Sequence, residues 1–225
     1  VSDTHFELAG PVVHQLSEAF ARDWAFTRGE ELTADIFFPP QVSHGQSLSR
    51  IVTAGPDMDL EKIEYTMLQA FTLARRSIRI MTPYFLPDDR FLTELALAAL
   101  RGIEVDIVVP WHSNHTVLDW ARAANLPRFL DSGCRIWLAR PPFNHSKLMV
   151  VDGHWSFVGS SNLDVRSLRL NFEINLEAYD DALASRIDTF IATHRHVRLT
   201  HHDLDRRPLW LKMRDAAARL FLPYL

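Results

Sequence analysis

Residues 145–162 read H-S-K-L-M-V-V-D-G-H-W-S-F-V-G-S-S-N, and they decide how the rest of the chain is read. Apolar runs on both sides of Asp152-Gly153 predict strands over 145–151 and 155–160 that pair as a hairpin, because both turn residues tolerate positive φ. Residues two apart on a strand share a face, so His145 and Lys147 bring an imidazole and an ammonium to one place. Ser160 and Asn162 are likewise two apart just beyond the partner strand, and Gly159 leaves room for something to approach the backbone. All four polar side chains are able to donate to one anion. A nucleophilic imidazole, a lysine point charge, and hydroxyl and amide donors together match the needs of in-line displacement at a phosphoryl group. The six specified positions of H-x-K-x₄-D-x₆-G-S-x-N coincide by chance at a given start about once in 10⁷ to 10⁸, so a hairpin that merely carries polar residues is set aside.

Working outward, short branched-apolar runs alternate with helical periods. Strands are predicted over 50–54, 77–82, 105–109, 135–139 and 173–178, with helices over 59–75, 88–100, 116–130, 181–194 and 208–222. Such alternation predicts an α/β fold with a mostly parallel sheet flanked by helices. Ahead of these lie a short strand over 4–8 and a helix that Gly10-Pro11 opens, running through Val12, Leu16, Phe20 and Trp24 to a stop at Gly29. A loop with Pro39-Pro40 follows, and a boundary falls near residue 48. The order strand, turn, helix in 4–28 returns in 173–194, which reads as an internal repeat whose first copy lacks its beginning.

The composition narrows the partners. Of 225 residues, 47% are hydrophobic and 23% charged, an ordinary globular balance. The longest apolar run, 95–100, is far short of the roughly 18 residues of a membrane span. The net charge of −4 offers no overall field for a nucleic acid backbone, so any anion site is local. Cys134 is the only cysteine, which excludes an internal disulfide and a cysteine-built zinc site. Only three of the 24 basic residues are lysines, Lys62, Lys147 and Lys212, which singles out a lysine inside the motif. His194, His196, His201 and His202 lack any supporting carboxylate or cysteine pattern and read as a solvated surface cluster.

His145, Lys147, Asp152, Gly159, Ser160 and Asn162 match the H-x-K-D signature, and the chain resembles the phospholipase D superfamily. Its surroundings are most similar to those of bacterial cardiolipin synthases. Thr82-Pro83-Tyr84-Phe85 with Pro87-Asp88, the stretches 162–167 and 170–176, Asp3-Thr4-His5 before Gly10-Pro11, Asp23-Trp24, and Arg207-Pro208-Leu209-Trp210 carry the likeness. The resemblance implies phosphatidyl transfer between two phosphatidylglycerols through a phosphohistidine, with no metal and no cofactor, in a bacterial cell membrane. Members carry two H-x-K-D motifs facing one cleft, whereas this chain has one. Residues 1–48 then resemble the tail of a first repeat, and 49–225 a complete second repeat with a C-terminal helix. The implied partners are the phospholipid, the membrane surface reached through the parent protein, and a missing first repeat or, second to it, another copy of the chain; nucleic acid is not among them. The chain by itself is expected to be inactive. A hydrolytic phospholipase D, a single-motif dimeric phosphodiesterase or nuclease, and a noncatalytic half-domain stay open as alternatives.

The resemblance also assigns roles. Lys147, Ser160 and Asn162 bind phosphate. His145 acts as nucleophile or as acid/base, and the first motif's usual role as nucleophile leaves His145 the second. Glu173, in the N-F-E stretch, is expected to accept from the nitrogen of His145 that faces away from phosphate, and Asp3 to have served the histidine of the first motif. Asp152 and Gly159 read as structural members of the motif, with Asp152 bracing the turn or pairing with an arginine. Tyr84 and His115, just after predicted strands, are candidates for the pocket wall. The stripe Trp210, Met213, Ala217, Leu220 and Phe221 on the last helix suits an anionic membrane surface or docking on its own domain, and docking is the expectation.

Overall fold

The computed structural model of the chain describes residues 1–55 and 59–220. After α1 (Val12–Arg28), which Gly29 ends in a left-handed conformation, come β1 (Leu48–Ala54), α2 (Lys62–Leu73), β2 (Ser77–Met81), the two-residue β3 (Phe85–Leu86) and α3 (Asp89–Leu100). Next are β4 (Glu104–Pro110), α4 (Thr116–Asp131), β5 (Arg135–Ala139), β6 (Leu148–Val151), β7 (Trp155–Gly159), β8 (Leu163–Asp164) and α5 (Val165–Arg169). The chain continues through β9 (Glu173–Tyr179), α6 (Asp181–Thr193), β10 (Val197–Arg198), α7 (His201–Asp205) and α8 (Leu209–Leu220).

Eight strands form one sheet in the order β1-β9-β7-β6-β2-β4-β5-β10, and β3 and β8 pair apart from it. Its inner strands are apolar almost throughout because both faces are covered. Along β6, Met149 and Val151 pack on the side of α2, α3 and α4, while Leu148 and Val150 pack toward α1 and α6. Asp106 interrupts the second face with no exposure at all. It is ion-paired to Arg79, Arg135 and Arg195 and accepts from Trp137 Nε1 at 2.8 Å, which offsets the cost of burying a carboxylate.

The sheet is mixed rather than mostly parallel. Only β2–β4 and β4–β5 are parallel, each joined by a helical crossover, and the other five pairings of the large sheet are antiparallel. A turn as short as Asp152-Gly153 returns the chain beside itself, so β6 and β7 run antiparallel, and β9 is then antiparallel to β7. The strand expected over 4–8 does not form. Ser2 bridges Asn144, and beyond it the segment has no ladder to join. α5 and α7, each of five residues, are too short for a periodic signal; α7 is announced only by its Thr200/Asp203 capping box.

The last helix also departs from expectation. Its docked face is Asp215 and Ala218, while Trp210, Met213 and Leu220 of the apolar stripe lie outward; Phe221 falls outside the described residues. Asp215 pairs with Arg207 and Arg214, and the Arg214 guanidinium lies 4.2 Å from the centre of the Trp120 ring. A buried acid between two arginines and an aromatic face thus fixes the helix rotation, overriding its apolar stripe.

Gly159 is needed by the sheet rather than by a ligand. A Cβ there would press on the carbonyl oxygen of Ile174 and lie 2.6 Å from Cα of Asn175, inside the backbone of β9. Gly159→Ala is therefore expected to lower the free energy of unfolding by about 2–3 kcal/mol, read as a lower urea midpoint at unchanged slope; an unchanged midpoint would show that β9 yields freely.

Candidate active site

The strand expected from 145 begins only at Leu148, and residues 145–147 lie ahead of β6 beside the N-terminal segment. Ser2 N–H donates to the Phe143 carbonyl and His145 N–H donates to the Ser2 carbonyl, both at 2.8 Å. The Thr4 and Ser146 hydroxyls meet at 2.7 Å, and Asp3 Oδ1 accepts from Thr4 N at 2.9 Å and from Ser146 Oγ at 3.3 Å. Asp3 Oδ2 is thereby held 3.8 Å from His145 Nδ1. Lys147 shares the face of His145. Its Nζ lies 2.9 Å from Nδ1 and 3.2 Å from Nε2, and it donates to the His145 carbonyl.

Burial holds the imidazole of His145 below its usual pKa, and the Lys147 charge pushes the same way against the pull of Asp3. Lys147 is lowered too. Its burial outweighs the carboxylates of Asp3, Glu173 and Asp164. The Tyr84 ring stands edge-on to His145 with centroids 5.8 Å apart, and Phe143 lies at 5.9 Å. Tyr84 donates its hydroxyl to Asn114 Oδ1 at 2.6 Å and touches His115 at 5.7 Å between ring centres.

At the other open end of the hairpin, Ser160 Oγ accepts from Ile174 N at 2.9 Å and donates to Glu173. Ser167 Oγ accepts from Asn162 N at 2.9 Å and donates to Glu173 at 2.6 Å, and Asn171 adds a third donor at 3.2 Å. The partners of Glu173 are therefore Ser160, Ser167 and Asn171, not His145. The carboxylate that faces His145 is Asp3, which the resemblance assigns to the histidine of the first motif. The sign of this exchange is topological: the segment at 2–4 bridges directly to 143–145, whereas β9 lies beyond β7. Ser160 in turn has its proton directed at Glu173 rather than at the cleft. The side-chain oxygen of Asn162 is buried with no partner among the described residues. Asn162, Tyr84 and His115 line one cavity of about 660 Å³, with Asp164 and Arg166. Asp3, Ser146 and Lys147 line a second one of about 240 Å³.

Asp152 sits away from the cleft. Its carboxylate accepts from the backbone N–H groups of Arg75, Arg76 and Ser77 at 2.9, 2.7 and 2.9 Å, and the Arg76 guanidinium reaches its carbonyl. Burial alone would raise its pKa, but these donors hold it below the usual carboxylate range. Of the groups around the cleft, sequence reading missed Ser167 and Asn114. The Asp164…Ser167 spacing is a helix-cap signal that would have found the first, since Asp164 accepts from Ser167 N at 2.7 Å.

Residues 67–195 match the family model described as "Cardiolipin synthase, PLD-like domain". The chain belongs to this family. It is 35% identical to the major cardiolipin synthase of Bacillus subtilis over 99% of its length, covering 47% of that protein, and 34% identical to the cardiolipin synthase of Geobacillus kaustophilus, covering 45%. The chain thus spans about half the length of these curated relatives. Two solved structures share the fold: phosphatidylserine synthase of Haemophilus influenzae (TM-score 0.65, 19% identity, 92% of this chain and 53% of that one) and the phospholipase D family member Nuc of Salmonella typhimurium (0.58, 20%, 68% and 99%). The matched region of this PLD-like domain holds His145, Lys147, Asn162 and Glu173 but not Asp3, so the carboxylate beside His145 comes from outside it.

The two opposing charges on His145 give a test in the chain itself. Followed by the NMR shift of its Cε1 proton, His145 is expected to titrate below the usual 6.5. Asp3→Asn should lower that midpoint further and Lys147→Gln should raise it. Shifts of the same sign in both variants would contradict the arrangement.

Proposed function

We propose that this chain supplies one half of a phosphatidyl-transfer site that joins two phosphatidylglycerols into cardiolipin and glycerol. The observation that carries this reading is the Lys147 ammonium packed against His145 with Asp3 at Nδ1, in a chain 35% identical to proteins named cardiolipin synthases.

In the first step a neutral imidazole attacks phosphorus, the N–P bond forms, the bond from phosphorus to the glycerol oxygen breaks, and the leaving glycerol takes a proton from a second acid. In the second, the hydroxyl of another phosphatidylglycerol gives up its proton to that same group and attacks phosphorus, and the imidazole leaves. Burial and Lys147 favour the uncharged imidazole, the form that attacks or accepts a proton. Lys147 offsets charge on the phosphoryl oxygens as the geometry at phosphorus changes, and Asp3 fixes which imidazole nitrogen faces the substrate. Asn162, whose side-chain oxygen has no partner among the described residues, offers its amide to the phosphoryl group, with its backbone held through Ser167 and Glu173.

In-line displacement puts nucleophile and proton donor on opposite sides of phosphorus, and His145 fills one of these places. The other is proposed to come from a second H-x-K-D half, joined to this one in the longer protein, with a second copy of the chain as the lesser route. In a protein that carries both halves, His145→Ala should lower cardiolipin formation on phosphatidylglycerol vesicles by about 10²–10⁴-fold without lowering the melting temperature. Glycerol is expected as the co-product. Phosphatidic acid without cardiolipin would indicate a hydrolase instead, and cardiolipin made by a demonstrably monomeric sample of these 225 residues would refute the half-site account.

A further inference from the structure

Helix α8 shows its apolar side to solvent. Leu209 is 73% exposed, Trp210 and Met213 65% each, and Leu220 79%, whereas the face against the domain is built on Asp215 and Ala218. At about 100° per residue, Leu209, Trp210, Met213, Ala216, Ala217 and Leu220 share an arc of about 120°. Lys212 and Arg219 border this arc on one side and Arg214 on the other. From 206 to 220 the basic residues are Arg206, Arg207, Lys212, Arg214 and Arg219, and the one acid, Asp215, is buried between two of them. Asp205 just ahead lies 4.0 Å from Lys212 Nζ, which leaves Arg206 and Arg219 as the cations without an ion-paired acid among the described residues. In a chain of net charge −4 this is a local concentration of positive charge around an apolar stripe.

The occupant such a surface fits is a lipid–water interface with anionic headgroups. The stripe is too polar at its borders for a protein core, an indole suits the headgroup level, and the flanking cations match the sign of the surface. The position agrees. α8 packs on α4, and Ala218 lies in one cluster with Leu86, Ala121 and Leu118. Leu86 and Leu118 also line the cavity that holds Asn162 and Tyr84.

We infer that α8 is an in-plane anchor that seats this cleft on an anionic lipid surface. The inference leans on the proposed lipid substrate for its purpose, but it is tested without turnover.

The 225-residue chain is sedimented with phosphatidylcholine vesicles, with and without phosphatidylserine, neither of which is the proposed substrate. The wild type should bind the anionic vesicles more tightly. The double variant Trp210→Glu/Met213→Glu should bind them at least about ten-fold less at an unchanged melting temperature, and Lys212→Glu/Arg219→Glu should lose the preference for phosphatidylserine. Should the first pair destabilise the chain, brominated lipids offer a second readout: they should quench wild-type fluorescence more than that of Trp210→Phe. Wild type that binds neither vesicle, or variants that bind as it does, would overturn the inference. So would a self-association in solution that Trp210→Glu dissolves in the absence of vesicle binding. If binding behaves as expected while a two-half protein makes no cardiolipin, the anchor stands and the proposed reaction falls.

Discussion

The Asp152 carboxylate captures three successive backbone N–H groups at the entrance of β2, and the candidate site depends on that clamp. It ties the closed end of the β6–β7 hairpin to its neighbour, with the reciprocal backbone bond from Asp152 N–H to the Ser77 carbonyl at 2.9 Å. Hydrogen bonds to an ionised acceptor contribute more than neutral ones. With the turn fixed and both strands paired on their outer sides, to β2 and β9, the hairpin has no freedom of register. Its open end must then present residues 145–147 and 160–162 side by side.

What the open end presents is an electrostatic arrangement more than a set of donors. His145 and Lys147 are both partly withdrawn from water, and the Lys147 charge disfavours one on His145 while Asp3 pulls the other way. An arriving phosphodiester anion would relieve that conflict, since it attracts the ammonium away from the imidazole and leaves the ring free to act. On the second strand, Glu173 gathers Ser160, Ser167 and Asn171 and through Ser167 fixes the backbone of Asn162. The signature's aspartate and glycine thus hold the frame, and its histidine, lysine and asparagine are the residues proposed for the chemistry.

The hairpin, the crossovers β2–α3–β4–α4–β5 and the pairing of His145 with Lys147 were legible in the sequence because each rests on local pattern: the Asp-Gly turn, helical periods between apolar runs, and residues two apart. The mixed sheet was not, since continuous apolar runs mark strands buried on both faces without giving their direction. The exchange of Glu173 for Asp3 beside His145 was hidden for the same kind of reason. Sequence separation says nothing of which segment lies across a gap, and residues 1–4 are the neighbours of 143–146 only in three dimensions. In α8 the sequence shows the apolar stripe but not the side it takes, because Arg207 and Arg214, the latter over the Trp120 ring, hold Asp215 against the domain.

In the proposed reaction the ends of the clamped hairpin converge on one phosphoryl group. A crystal structure of the chain soaked with tungstate, a phosphoryl-sized anion, tests it directly. The ion is expected between the His145 ring and the Asn162 amide, with Lys147 Nζ swung from the imidazole onto it. An ion bound elsewhere, or a cleft left empty with Lys147 still folded on His145, would contradict it.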